Sequence, residues 1–218
     1  MSSKSIDSSS HLQTLSEAQY DQLSIITKEY KVGFLALNSL GSYTVTFYGG
    51  SMIQPEDKAY KGVLEIAGDF AKQGWGVVSG GGPGIMEAAL KGAQNSDGKA
   101  IAFKINLAGE PVTTNPDLIL TFTQFSVRKY LLRQSDVFVF APGGLGTLDE
   151  LMELLTLMKT KKYPIKPIFL YDSSFWMGYI EWFNKILIQE RKVVVADFIN
   201  LFKVVDSSKE ILNSLFQK

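Results

Sequence analysis

The stretch Phe138–Leu155, "FVFAPGGLGTLDELMELL", sets an apolar run against three glycines, and the glycines against a helix-like pattern. Consecutive apolar residues without polar alternation predict a strand buried on both faces, as in a parallel sheet covered by helices. "TLDELMELLTLMKT" predicts the helix that follows. The junction has two readings. In one, Thr147 is the N-cap and Glu150 folds back to its backbone, matching the capping pattern S/T-x-x-E. In the other, bare amides at the helix start favour an anion, and Glu150 points its carboxylate into the same crevice.

The strand, turn and helix sequence recurs along the chain. "LSEAQYDQLSIITKEY", residues 15–30, carries Leu15, Tyr20, Leu23 and Ile26 at roughly helical spacing and predicts an N-terminal helix. "YTVTFYGGS" is β-rich. "DKAYKGVLEIAGDFAKQG" predicts a helix closed by Gly74. "WGVVSGGGPG" is a short strand and "IMEAALKGAQ" a helix; "KAIAFKINL" and "DLILTF" are strands; "SVRKYLLRQS" is a short helix. "KPIFLY" and "LFKVVD" are further strands, each followed by a helix, in "SFWMGYIEWFNKILIQE" and "SSKEILNSLFQ". This alternation predicts an α/β doubly wound parallel sheet with helices on both faces. Residues 15–218 read as a single domain and residues 1–14 as a flexible Ser-rich tail.

Composition narrows the chemistry. The chain has 218 residues, no cysteine and one histidine, His11, in the Ser-rich opening. A disulfide, a thiolate metal site, a cysteine nucleophile and a Ser-His-Asp triad are therefore not expected, and no metal or cofactor is implied. Lys+Arg and Asp+Glu both number 22, so no global basic field favours nucleic acid. No apolar run approaches the roughly 20 residues that span a bilayer, and the opening "MSSKSIDSSSHLQ" lacks the apolar core of a signal peptide. The expectation is a cytoplasmic protein without a membrane or nucleic-acid partner.

Ligands of open parallel sheets bind beyond the carboxyl ends of the strands. Glycines cluster at such ends at Phe47–Ser51, Ser79–Gly84 and Ala141–Thr147. Any one cluster is explained as a simple chain reversal; together at one edge they would form a donor-rich crevice. "PGGLGTLDE" lacks the Gly-Lys-Ser/Thr ending of a P-loop, and "GGGPGIMEA" lacks the G-x-G-x-x-G spacing of a dinucleotide site. Glu87 reads as a first-turn acid complementing a helix dipole. Asp149 is ambiguous, and Glu153 reads as part of a solvated face. Arg128 and Lys129 are either two surface cations or a crevice rim. Arg128 shares a helix side with Leu131 and Leu132, which favours the rim, where a guanidinium grips phosphate or carboxylate with paired donors. The aromatics Phe175, Trp176, Tyr179, Trp182 and Phe183 read as core or subunit contact.

"SGGGPGIMEAALKGA", "SVRKYLL" and "APGGLGTLDELMELLT" together resemble the LOG-type phosphoribohydrolases, long labelled possible lysine decarboxylases. The pattern PGGxGTxxE is met by Pro142, Gly143, Gly144, Gly146, Thr147 and Glu150, and the preceding Arg-Lys pair by Arg128 and Lys129. "GPGIMEAA" resembles the longer-chain branch. The resemblance, over about Tyr43 to Trp176, implies a Rossmann-like nucleotide-binding fold. It implies hydrolysis of the N-glycosidic bond of AMP or of a cytokinin riboside 5′-monophosphate to free base and ribose 5-phosphate. It further implies a homo-oligomer, dimer or hexamer. Arg128 and Glu150 would be the catalytic pair. Substrate would be bound by Gly49, Gly50, Ser51, Gly81, Gly82, Gly84, Glu87, Lys129, Pro142, Gly143, Gly144, Gly146 and Thr147, with the 5′-phosphate on Gly143–Thr147. One departure stands out: where that branch commonly reads Gly-Ser-Ala-Arg, this chain has Gly49, Gly50, Ser51 and Met52.

Three other functions are open. The first is a non-catalytic nucleotide or molybdenum-cofactor carrier of the same fold. The second is a lysine decarboxylase, which needs pyridoxal phosphate on a lysine. The third is an interaction protein assembled through its aromatic C-terminal helix. If hydrolysis is correct, Glu150→Gln and Arg128→Ala are expected to leave folding largely intact and cut turnover at least about a hundredfold.

Overall fold

A computed structural model describes residues 14–40, 43–106 and 114–216. The tail expected at 1–14, His11 included, lies outside the described residues except for Thr14. Seven strands form one sheet: β1 (Thr44–Tyr48), β2 (Gly76–Ser79), β3 (Ala100–Ile105), β4 (Leu118–Phe122), β5 (Val137–Phe140), β6 (Ile168–Tyr171) and β7 (Lys203–Val205). Every pairing is parallel, in the order β4-β3-β2-β1-β5-β6-β7. The chain lays strands outward from β1 in one direction, then returns to its other side with β5. The β1/β5 boundary is therefore the switch point, where the two flanking connections leave to opposite faces and open a crevice.

The helices are α1 (Glu17–Asn38), α2 (Lys58–Lys72), α3 (Ile85–Gln94), α4 (Phe125–Leu132), α5 (Leu145–Lys159), α6 (Ser173–Trp182) and α7 (Ser208–Phe216). The two-residue strand period sorts the core into two layers. Val45, Phe47, Val137 and Val139 pack with residues of α2 and α3 on one face. Tyr48, Phe138, Phe140 and Leu170 pack with residues of α4 and α5 on the other. Burial on both faces is why these strands read as unbroken apolar runs. Buried Thr46 is satisfied within the core, its hydroxyl donating to the Leu132 carbonyl and accepting from Ser135 Oγ, at 2.7 Å each.

Helix ends follow local chemistry. Ser16 and Gln19 form a full capping box at the start of α1. Asp57 caps α2, accepting from the Ala59 amide at 2.7 Å. Gly74, at φ 80°, follows the end of α2, as expected from its position. Glu29 of α1 is buried and serves α4: Oε1 accepts from the Thr123 amide at 2.6 Å and its hydroxyl at 2.7 Å, and Oε2 from the Gln124 amide at 3.4 Å.

Two expectations are corrected. The capping box proposed for Thr147 and Glu150 does not form, because α5 begins three residues earlier than that box requires, with Gly144 at the N-cap and no side-chain cap. The single helix expected over "SFWMGYIEWFNKILIQE" is α6 followed by a π-helical segment, Phe183–Glu190. A 3-10 turn, Ala196–Leu201, precedes β7. Phe198 of that turn stacks on Phe183, with centroids 4.3 Å apart. Among the described residues no helix is long and apolar enough to cross a membrane.

Candidate active site

The turns after β1 and β5 are tied edge to edge. The Ala141 amide donates to the Tyr48 carbonyl and the Gly50 amide to the Pro142 carbonyl, both at 2.9 Å. The turn after β2 joins them through the Ile85 amide, which donates to the Gly50 carbonyl at 3.1 Å. Gly84 makes that contact feasible: its φ is 69°, and a Cβ there would lie 2.4 Å from the Gly50 oxygen.

Around these turns lies a cleft of about 320 Å³. One wall is the first turn of α5. Its first i to i−4 bond runs from the Leu148 amide to the Gly144 carbonyl, at 3.1 Å. The amides of Leu145, Gly146 and Thr147 precede it and have no intrahelical acceptor. With no side-chain cap on Gly144, this end of α5 suits an anion through both its N–H groups and the helix dipole.

Beside it stand Arg128, from α4, and Glu150, in the next turn of α5 itself. Arg128 is buried and oriented by its own backbone contact, Nε donating to the Phe103 carbonyl at 2.7 Å. Its Nη1 meets Glu150 Oε1 at 3.3 Å. Its Nη2 occupies the space a side chain at residue 80 would need: a Cβ on Gly80 would lie 2.3 Å from it. Burial pushes the Glu150 carboxyl up to about 7; the opposing pull of Arg128, and then of Lys129, only partly offsets that loss of solvation. The carboxyl therefore exchanges its proton near neutrality, the range that suits acid-base work. Tyr48 lies beside the pair, with its hydroxyl held neutral first by burial and then by the charge on Glu150.

The structure brings together Gly49, Gly50, Ser51, Arg128, Gly144, Gly146, Thr147 and Glu150 around the cleft. Pro142 and Gly143 line an adjoining lobe of about 540 Å³ with Met52, Asp172 and Phe175. Gly81, Gly82 and Gly84 are buried and do not line the cleft; Gly80 lines it instead. Glu87 pairs with Lys91 one turn on, at 2.5 Å. Lys129 turns away from the cleft to Asp149 and Glu153. Sequence reasoning missed Met86, Ile105, Phe125 and Leu145, which also line the cleft. Phe125 and Leu145 open their helices directly beside named motif residues, and that adjacency was the available signal. A larger groove, about 690 Å³, lies at the far end of α5; its charged residues, Lys159, Lys161, Lys162 and Asp197, are all exposed, and it holds no buried acid beside a cation. Among the described residues no cluster of His, Cys, Asp and Glu could hold a metal ion.

Residues 86–215 match the family model described as possible lysine decarboxylase. The chain belongs to this family. It is 28% identical over 183 residues to a cytokinin riboside 5′-monophosphate phosphoribohydrolase of Mycobacterium tuberculosis, covering 80% of this chain and 94% of that protein. A protein of the same name from Mycobacterium marinum is 30% identical over 125 residues, covering 53% of this chain and 64% of that one. Among solved structures, the molybdenum cofactor binding protein of Rippkaea orientalis superposes with a TM-score of 0.61 at 22% identity, over 81% of this chain and 99% of its own. That likeness establishes the Rossmann-like fold. Among the described residues no lysine lines this cleft to offer the Schiff-base amine that a pyridoxal-phosphate decarboxylase uses.

Proposed function

We propose that the chain hydrolyses the N-glycosidic bond of a nucleoside 5′-monophosphate, AMP or a cytokinin riboside 5′-monophosphate, to free base and ribose 5-phosphate. The observation that carries this reading is the largely shielded Arg128–Glu150 pair, 3.3 Å apart, lining the same small cleft as the uncapped start of α5. The names of the mycobacterial relatives support it. The 5′-phosphate would sit on the amides of Leu145–Thr147. The sugar would then lie toward Glu150. As the C–N bond breaks, positive charge grows on the ribose. The ionised carboxylate stabilises that charge and accepts a proton from the attacking water; the base departs with the C–N electron pair and takes up that proton, which restores the carboxylate. Arg128 holds the carboxylate in place and offers its remaining N–H groups to the substrate.

The test is a panel of nucleoside 5′-monophosphates, AMP and N6-substituted AMP among them, incubated with the purified protein. The released base is followed by chromatography and ribose 5-phosphate by a coupled assay. Release of both in equal amounts supports the reading. Tight binding without release favours the carrier function, and failure to bind any nucleotide sinks both.

A further inference from the structure

Arg128 and Lys129 are consecutive on α4, and consecutive helical side chains point about 100° apart. Only one of them enters the cleft. Lys129 Nζ instead meets Asp149 Oδ2 at 2.8 Å and Glu153 Oε2 at 3.4 Å, both on α5. One turn further along α4, Arg133 Nη1 meets Glu153 Oε1 at 3.0 Å, its guanidinium 4.6 Å from the Tyr130 ring centroid. Two cations four residues apart on α4 thus face two acids four residues apart on α5. The cations are well shielded: the side chains of Lys129 and Arg133 are 16% and 15% exposed. Glu150 belongs to the same turn of α5 as both acids.

We propose that Lys129 is a positioning residue: gripping Asp149 and Glu153, it holds α5 on α4 in the register that sets Arg128 against Glu150, and it neutralises two acids that flank that carboxylate. This rests on the reading of Glu150 as the catalytic group, and it replaces the expectation that Lys129 binds substrate. The charged and titratable groups around Glu150 are Arg128 and Lys129 from α4, Asp149 and Glu153 from α5, and Tyr48 from β1. Arg128 and Lys129 lower its proton affinity; Asp149 and Glu153 raise it. Loss of Lys129 removes one lowering influence and exposes two raising ones, so both effects have the same sign.

The experiment is a ¹³C NMR titration of the Glu150 carboxyl carbon, assigned by its disappearance in Glu150→Gln. Lys129→Met is expected to raise the midpoint by about one pH unit, and Lys129→Arg to restore it. The double variant Asp149→Asn/Glu153→Gln is expected to lower it, and it keeps the question answerable should Lys129→Met fail to fold. In nucleotide turnover, Lys129→Met should lower kcat about tenfold while KM stays within about threefold. A midpoint unmoved in all these variants overturns the proposal. So does a raised KM with unchanged kcat, which would make Lys129 a direct substrate contact. If no nucleotide is hydrolysed at all, the proposed function fails, while the titration still decides whether this clamp acts on Glu150.

Discussion

At the residue scale, Glu150 yields two predictions with worked signs. Its folded-state pKa, about 7, lies above the ordinary 4.5. The folded protein therefore holds this proton more tightly than the unfolded chain, and stability falls as pH rises from about 4.5 to 7, by at most about 3 kcal/mol. Glu150→Gln cannot ionise, so its melting temperature relative to the parent should climb between pH 5 and pH 8, as scanning calorimetry would show. In the proposed reaction the carboxylate is the acting form, so kcat/KM of the parent should rise through pH about 7, and in Glu150→Gln that limb should vanish with at least about a hundredfold loss. Arg128→Ala is not the clean probe expected from sequence. It removes the donor that Arg128 gives the buried Phe103 carbonyl and empties a packed site, at a cost of about 1–3 kcal/mol. Gly80→Ala probes the same arginine from outside: its Cβ would lie 2.3 Å from Arg128 Nη2 and 2.5 Å from Met86 Sδ. We expect it to displace the guanidinium and lower kcat/KM, with a smaller loss of stability than Arg128→Ala. Arg128 could be read from sequence because Leu131 and Leu132 mark its side of α4 as inward. Gly80 could not, because three adjacent glycines carry no pattern to say which one faces the cleft.

At the element scale, α5 shows how far sequence reasoning reaches. Its existence follows from "LDELMELL", but its first residue does not. A Thr-x-x-Glu pattern and a glycine N-cap three residues earlier compete, and the helix starts at the glycine, with no side-chain cap over the amides of residues 145–147. Glu153, which the sequence places on a solvated face, is paired instead with Lys129 and Arg133. Lys129 and Arg133 on α4, and Asp149 and Glu153 on α5, each show i, i+4 spacing in the sequence. Nothing local says that the two pairs meet. The open helix start suggests a trade between stability and binding. A Cβ on Gly146 would meet nothing within 4 Å, and its φ is not positive. Gly146→Ala should therefore stabilise α5 by about 0.5–1 kcal/mol, seen as a higher melting temperature. The added methyl at the anion's approach should raise KM for the nucleotide. A variant with higher Tm and unchanged KM would place the phosphate elsewhere.

At the scale of the whole molecule, the alternation of buried strands and helices was enough to predict a doubly wound parallel sheet. The strand order was not legible, because fully apolar strands carry no mark of which neighbour they pair with. The order matters for function, since it is the return of the chain to the far side of β1 that places the β1 and β5 turns side by side. The homo-oligomer expectation has a physical motive in α1. Its residues before Ile26 are all exposed, Tyr20 and Leu23 among them at 59% and 49%, and an isolated helical stretch of that length is marginal in water. Light scattering is expected to give a multiple of the 24.2 kDa chain mass, and Tyr20→Asp/Leu23→Asp to reduce it. A parent already monomeric would remove the motive. One carboxylate gives this wider meaning. Glu29, beyond the exposed start of α1, ties that helix to Thr123 and Gln124, the residues that lead into the helix bearing Arg128. In an assembly formed through α1, the same carboxylate would join the subunit contact to the entry of that helix, and association and the proposed turnover, where both occur, would be coupled by one shared free energy.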